Sequence, residues 1–483
     1  MNIPTGSRRA PMPKIAIVVM LMAGGSLAAI PAAATAPPAR QRIAIVGVNV
    51  IDLVHDRTSR PRTVLIDEGR IVVIGDPRTV RIPDGTHRVD GKGRFLIPGL
   101  VDMHVHLFNG YSRRPPNDWT FPLFVANGVT AVREMNADTA ALARVRQWRR
   151  ALDDGERLAP RIVAAGVAVR GTSADDAALQ VDAAAEAGAD FIKVFSDIPP
   201  AHWLSVLDAA RRHALPVAGH VPAQVPLLTA ATRQASNEHL MQASEACSST
   251  GRRVIDERRA ATDDLTAAQR DAEEARVLQT FDRRRCRHVA TALAATGQAQ
   301  VPTLVLPHAE SMRRVHAPAP DSRARYLRAD ERLRWERLLA DAATADSGLA
   351  RQRWRTARRI VRAFDRAGVI VLAGTDAPMP EIYPGFSLHD ELALLVDAGL
   401  SPRDALRAAT LRPAQFLGLS ATQGSVDVGK RADLVLLDAD PTRDIRHTRR
   451  IRAVVLDGRL LQREALDALL EEAARDAATP SPP

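Results

Sequence analysis

The run Pro98-Gly99-Leu100-Val101-Asp102-Met103-His104-Val105-His106-Leu107 decides how this chain reads. Residues 94–107 are apolar, rich in β-branched side chains and bounded by glycines, which predicts a strand. Side chains alternate faces along a strand, so His104 and His106 share one face. Two imidazoles side by side at the end of a strand are half of a metal site.

Working outward, the same texture recurs with a regular beat. Strands are predicted over 95–107, 129–135, 161–166, 191–195, 216–220, 235–239, 301–306 and 369–376, most separated by a helix-length segment. Alternating strands and helices argue for a parallel sheet, and eight such units fit a (β/α)8 TIM barrel. An open doubly wound sheet is the alternative, but no glycine-rich phosphate turn opens the first helix. Short all-strand patches lie on both sides of this region, at 41–96 and 432–456. They predict one small β-sandwich built from both ends of the chain. The domain layout is therefore a signal segment at 1–34, a composite β-sandwich from 41–97 and 415–470, a barrel over 98–414, and a disordered tail at 471–483 ending in Thr479-Pro480-Ser481-Pro482-Pro483. Two long insertions, 241–300 and 308–366, have helical periodicity. In a barrel they leave the face where active sites sit, and a lid, an oligomer surface and solvated decoration all stay open for them.

Composition narrows the function. The 483 residues are 46% hydrophobic and 25% charged, ordinary for a globular protein. The net charge of +10 is spread over arginine-rich helical faces without aromatic clusters, so a nucleic-acid partner is not expected. Arg8, Arg9 and Lys14 precede an apolar run over 15–30 and then Ala32-Ala33-Ala34, the pattern of an export signal cleaved after Ala34. The mature protein is expected in the periplasm or secreted, without stable membrane insertion. Ser7-Arg8-Arg9 hints at twin-arginine export, but Pro11 and Pro13 depart from that pattern, and the route stays open. Cys247 and Cys286 are the only cysteines. An oxidising compartment permits a disulfide between them, and the sequence does not decide it.

More candidate ligands end the predicted strands: Lys193 within Phe191-Ile192-Lys193-Val194-Phe195, His220 after Val217-Ala218-Gly219, His239 after Ser236-Asn237-Glu238, and Asp376 in Ala373-Gly374-Thr375-Asp376-Ala377. Singly, each has an ordinary role. A histidine can be a satisfied core residue, Asp376 a helix N-cap, and Lys193 a lysine snorkelling out of the barrel end. Jointly those roles fail, because each candidate ends a different strand. Glu238 adjoins His239, so on a regular strand it points away from the site.

On these residues the chain resembles the metal-dependent amidohydrolase superfamily, in its imidazolonepropionase-like branch that also holds metal-dependent prolidases. The resemblance runs from residue 43 to about 469. It includes Gly128-Val129-Thr130-Ala131-Val132-Arg133, Ala373 to Ala377, Ser401-Pro402, Ala408-Ala409-Thr410 and Gly429-Lys430-Arg431-Ala432-Asp433-Leu434-Val435-Leu436. It implies two divalent metal ions, zinc by the branch's habit. His104, His106 and Asp376 would hold the more buried ion, His220 and His239 the more exposed one. Lys193, carboxylated by CO2, would bridge both as a carbamate beside a bridging hydroxide. Neutral imidazoles and anionic oxygens suit such a pair of cations. Asp376 would be the catalytic residue, taking the proton of the attacking water and returning it to the leaving nitrogen.

The implied function is hydrolysis of a C–N amide bond in a small molecule such as a dipeptide or an N-acyl amino acid. Ester, lactone or phosphotriester hydrolysis on the same site is the second reading, and a non-catalytic binding barrel the third. A deaminase fits less well, since the glutamate expected shortly after the fifth-strand histidine is absent after His220. The chain also departs from the branch's peptide-cleaving members. His220-Val221-Pro222-Ala223 stands where small residues and glycine are usual, and Asn237-Glu238 precedes the sixth-strand histidine. Tyr111, Arg133, His308 and His389 are candidate pocket residues by position. Ser387 to Asp390 also fits a helix capping box, which would make His389 structural. Substrate identity and oligomeric state, a homo-oligomer included, stay open.

Overall fold

A computed structural model describes residues 40–108, 116–261, 265–313, 321–342 and 347–479. The export signal at 1–34 and the candidate pocket residue Tyr111 lie outside the described residues. So do the last four residues of the expected tail.

The chain folds as a TIM barrel with a sandwich-type sheet formed by its two ends. Seven strands pair in parallel, in chain order: Leu100–Val105, Val129–Ala137, Arg161–Ala168, Phe191–Val194, Val217–Gly219, Ser236–Glu238 and Ala299–Val301. They are the first to seventh barrel strands. The eighth position is filled by residues 369–377, which bridge both neighbours, Val371 against Gln300 and Ala377 against Val105. On one side Leu372 N donates to Gln300 O at 2.9 Å, and on the other Met103 N donates to Ala373 O at 2.9 Å. A Cβ on Gly374 would stand 2.6 Å from Val301 Cγ1 and 2.9 Å from His104 Cβ, so the close approach that completes the ring needs glycine there.

Residues 95–105 form two strands rather than one. Phe95–Pro98 pairs antiparallel with Leu434–Leu437 in the small sheet, and Leu100–Val105 begins the barrel. Gly99 is the joint between them. A Cβ there would come within 2.0 Å of Thr130 Oγ1 on the second barrel strand.

The small sheet runs in the order Arg459–Gln462, Ile451–Leu456, Leu434–Leu437, Phe95–Pro98, Ile43–Asp52, Arg62–Asp67, Arg70–Gly75. It interleaves strands from the two ends of the chain. Ile43–Asp52 curls it, pairing with Arg62–Asp67 through Ile43 to Ile45 and with Phe95–Pro98 through Asn49 and Val50. Gly47, at φ 77°, lies between those pairings. The core is drawn from both ends, with Ile43, Ile45 and Val64 packed on Leu434, Leu436 and Val455.

Two expectations change. The seventh strand is Ala299–Val301, not 301–306. Pro302 has no N–H to extend the ladder, Thr303 turns at φ 46°, and the helix Val305–Met312 starts at once. The segment at 471–483 is not a disordered tail along its described length. It lies mostly in the helix Arg463–Ala478, which buries Leu466, Ala473 and Ala477. Ala473 packs with Leu123 and Tyr326. The two insertions are helical. The first holds Ala243–Ala246, Gly251–Ala260, Ala267–Gln279 and Arg283–Thr296, and the second includes Ala329–Ala342 and Ser347–Ala367. Cys247 and Cys286 are joined by a disulfide that ties the end of the first of these helices to the fourth.

Gly99→Ala tests the strand joint. Its added carbon overlaps Thr130, so chemical denaturation is expected to report a loss of about 2 kcal/mol. Thr130→Ala, which removes the two nearest atoms, should restore part of it in the double variant.

Candidate metal centre

The six strand-end candidates gather at one end of the barrel. His104 is fully buried on the first strand, and His106 follows that strand's last residue. His104 Nε2 and His106 Nε2 converge on one oxygen, Asp376 Oδ1, at 3.0 and 2.7 Å. Ligand atoms of these three residues lie within 4.8 Å of one another. The His239 ring stands 4.6 Å from that of His104 and 5.0 Å from that of His220, centroid to centroid. His220 in turn meets Phe195 edge-on at 5.1 Å, and Lys193 Nζ lies 5.1 Å from the same Phe195 ring. Lys193 is 1% exposed on the fourth strand.

Asp376 and His239 both adopt left-handed backbone conformations, at φ 67° and 57°. Such strain is uncommon outside glycine and gathers at functional sites. At His239 it has a direct consequence. The left-handed turn breaks the strand alternation, so Glu238 does not point away from the centre as the sequence predicts. Its carboxylate is fully buried. It accepts hydrogen bonds from His104 Nδ1 at 2.8 Å, Arg133 Nη2 at 2.9 Å and Ser236 Oγ at 2.5 Å.

Arg133 is therefore not a pocket residue. It is sealed beneath the centre, donating also to Met103 O at 2.6 Å and Ser236 Oγ at 3.1 Å. The Phe191 and Phe416 rings lie 5.5 and 5.6 Å from its guanidinium. His389 is structural. Its Nδ1 contacts Thr448 Oγ1 at 2.9 Å and its Nε2 the Asn127 carbonyl at 3.0 Å. No capping box forms there: the helix Phe386–Ala398 starts after Gly385 with no side-chain cap, and Ser387 Oγ accepts from Tyr383 N. His308 packs on Trp354, ring centroids 5.1 Å apart. The sequence also passes over Thr303, whose Oγ1 lies 2.7 Å from His239 Nδ1, and Asp102. The Asp102 carboxylate accepts from Thr375 Oγ1 at 2.6 Å and Thr375 N at 3.0 Å, which fixes the eighth strand to the first.

The protonation states suit metal ligation. Burial, with the nearby Lys193 charge, pushes the His220 imidazolium well down. Burial brings His239 down to about 3. Both are then neutral donors at ordinary pH. Burial lowers Lys193 to about 8. Burial raises the Asp376 carboxyl, but the imidazoles of His239, His104 and His106 outweigh it and hold the group well below the carboxylate range. Burial likewise raises Glu238, and Arg133 with His104 overrides it. His106 Nδ1 and His220 Nδ1 are buried yet make no hydrogen bond among the described residues. Orphaned imidazole nitrogens beside a convergent carboxylate are the donor set a divalent cation satisfies. The outer ring fits too: Glu238 holds His104 Nδ1 and Thr303 holds His239 Nδ1, fixing which nitrogen faces inward.

The chain is similar to several known proteins. The model of the amidohydrolase family matches residues 95–461. An imidazolonepropionase from Sphingopyxis alaskensis is 27% identical over 403 residues, covering 77% of this chain and 86% of its own. The solved structure of a bottromycin amidohydrolase superposes with a TM-score of 0.69 at 26% identity, over 91% of each chain. That of a Xaa-Pro dipeptidase with bound methionine superposes at 0.60 and 19% identity, over 87% of this chain and 100% of that one. Several other curated relatives match over a quarter of their own length or less.

Thr303→Val removes the oxygen that orients His239 while keeping the side chain's shape. Metal affinity measured by chelator competition is expected to fall by about 10- to 100-fold. Thr303→Ser should stay near the parent value.

Proposed function

Since the chain belongs to the amidohydrolase family, we propose that it is an exported, metal-dependent amidohydrolase that cleaves the C–N amide bond of a dipeptide or an N-acyl amino acid. The observation that carries this reading is the meeting of two imidazoles on Asp376 Oδ1, with His239 against His104 and His220. His104, His106 and Asp376 would hold one divalent ion and His220 and His239 a second, zinc by the nitrogen and oxygen donor set. When bound, such ions supply Lewis acidity for a carbonyl and bring the acidity of water near neutral pH.

The chain's own groups do the rest. Asp376, ionised and aimed at the centre, would take the proton of the attacking water and deliver it to the departing nitrogen. His104 and His239 are kept in one orientation by Glu238 and Thr303. Lys193 would be a further ligand. Its amine, eased toward the neutral form by burial, would add to CO2 with loss of a proton, and the resulting carbamate would supply an anionic oxygen donor to the ions. Desolvation disfavours the ammonium, and two nearby cations would disfavour it further.

The test is a hydrolysis screen of the zinc-loaded mature protein against dipeptides, N-acyl amino acids, lactones and aryl esters. Turnover of the amides at least tenfold above the esters and lactones is expected, and the reverse order would overturn the amide assignment. In the same assay Lys193→Ala should lose most activity and at least one metal equivalent. A small carboxylic acid with added metal should restore part of it by supplying the missing anion. Lys193→Arg should not be rescued, because the guanidinium stays charged and fills the space. Retention of both metals and near-normal turnover in Lys193→Ala would remove the bridge. Export is tested by sequencing the N-terminus of the secreted protein, expected to begin after Ala34. A mature chain that starts at Met1 in the cytoplasm would contradict it.

A further inference from the structure

Thr303 holds His239 from a conformation that a threonine does not adopt unaided. It is fully buried at φ 46°. A β-branched residue in that left-handed region is an outlier, kept there only where its surroundings fix it. Its hydroxyl donates to Pro302 O at 2.8 Å. That spends its one proton, so toward His239 Nδ1, at 2.7 Å, it is an acceptor. His239 therefore carries its proton on Nδ1 and keeps the lone pair on Nε2.

What fixes the Thr303 turn comes from another helix. The helix Val305–Met312 begins two residues after Thr303, and its N-cap, Leu304, makes no side-chain bond. Glu391, from the helix Phe386–Ala398, caps that end instead: its Oε2 accepts from Val305 N at 2.9 Å. Leu306 N donates to Thr303 O at 3.0 Å, so the anchored turn includes Thr303. Glu391 is itself well placed. Two residues earlier, about 200° round the same helix, His389 is tied to Thr448 and to the Asn127 carbonyl. As a source of stability Glu391 is a poor choice. It is fully buried, and its Oε1 has no hydrogen-bond partner among the described residues. An unsatisfied buried oxygen costs free energy that an apolar side chain avoids. Burial pushes the carboxyl up to about 8, so near neutral pH it is mostly the uncharged acid, for which glutamine is an isostere. We propose that Glu391 is a positioning residue for His239: by holding Val305 N it keeps Thr303 turned toward the imidazole, and so sets which nitrogen His239 presents to a metal. This rests on the two-ion reading and extends it to a residue outside the centre.

The measurement is the tautomer of His239 in the metal-free full chain, read by nitrogen-15 NMR of histidine-labelled protein, with its signals assigned by their loss in His239→Ala. The parent is expected to carry the proton on Nδ1. Glu391→Leu should give a mixture of tautomers, as should Thr303→Val, while Glu391→Gln should keep the parent state. Zinc affinity of the His220 and His239 site, by chelator competition, should follow. It is expected to be about tenfold weaker in Glu391→Leu and near the parent value in Glu391→Gln. The double variant of Glu391→Leu with Thr303→Val should stay within about twofold of Thr303→Val alone, because both substitutions act through one contact. If Glu391→Leu does not fold, Glu391→Asp, whose carboxyl stops one methylene short of Val305 N, takes its place with the same expectations. The proposal falls if the parent is already a mixture, if Glu391→Leu keeps the Nδ1 tautomer, if its loss of affinity adds in full to that of Thr303→Val, or if Glu391→Gln loses as much. A Glu391-dependent tautomer in a chain that binds no zinc at His220 and His239 would keep the positioning role and overturn the two-ion reading, so the two failures are told apart.

Discussion

Asp376 is where the barrel closes and where the candidate centre forms. Its N–H donates to His104 O at 2.7 Å, which fastens the eighth segment to the first strand. Its carboxylate oxygen meets both imidazoles of that strand. The two roles need opposite things of the backbone, and φ 67° reconciles them by turning the side chain inward at the end of the strand. Gly374 lets the chain pass between Val301 and His104, and Asp102 clamps Thr375 from below. Barrel closure and the arrangement of the three residues are therefore one event: a displacement of the eighth segment would separate Asp376 from both histidines.

Below that joint lies a charged interior that a barrel core would ordinarily avoid. Arg133 and Glu238 form a fully buried pair, and their value here is orientation rather than stability. Removing one partner of such a pair costs roughly 3–5 kcal/mol, while the pair itself adds little over an apolar filling. What it contributes is a fixed acceptor for His104 Nδ1. The same logic applies above, where Thr303 fixes His239. Ligand geometry is thus set by strand ends and then locked by hydrogen bonds to the ligands' outer nitrogens.

The sequence shows the ligand residues because each sits at a strand end, where an apolar run stops at His, Lys or Asp. It shows the two-ended sheet because residues 432–456 repeat the texture of 43–96. What it hides is what backbone torsion decides. Nothing in Asn237-Glu238-His239 announces a left-handed histidine, so period-two alternation sends Glu238 to the wrong face. Gly99 is legible as a glycine but not as the joint between two sheets, since apolar character continues across it. The seventh strand is expected two residues too late at its start and five too late at its end, because Val301 to Leu306 looks strand-like while Pro302 ends the ladder. The terminal helix is masked by the proline-rich end that follows, although Leu466, Leu470, Ala473 and Ala477 already carry helical spacing. His389 is hardest of all, because the chain gives no sign that Thr448 and the Asn127 carbonyl take both its nitrogens.

The central claim is that the five imidazole and carboxylate ligands, with Lys193, hold a pair of divalent ions. Elemental analysis of the full chain, produced with zinc and dialysed free of loose metal under a CO2 atmosphere, tests it most directly. Two equivalents of metal per chain is the predicted result. A chain that retains none, or only one that His220→Ala and His239→Ala leave in place, would contradict the two-metal account.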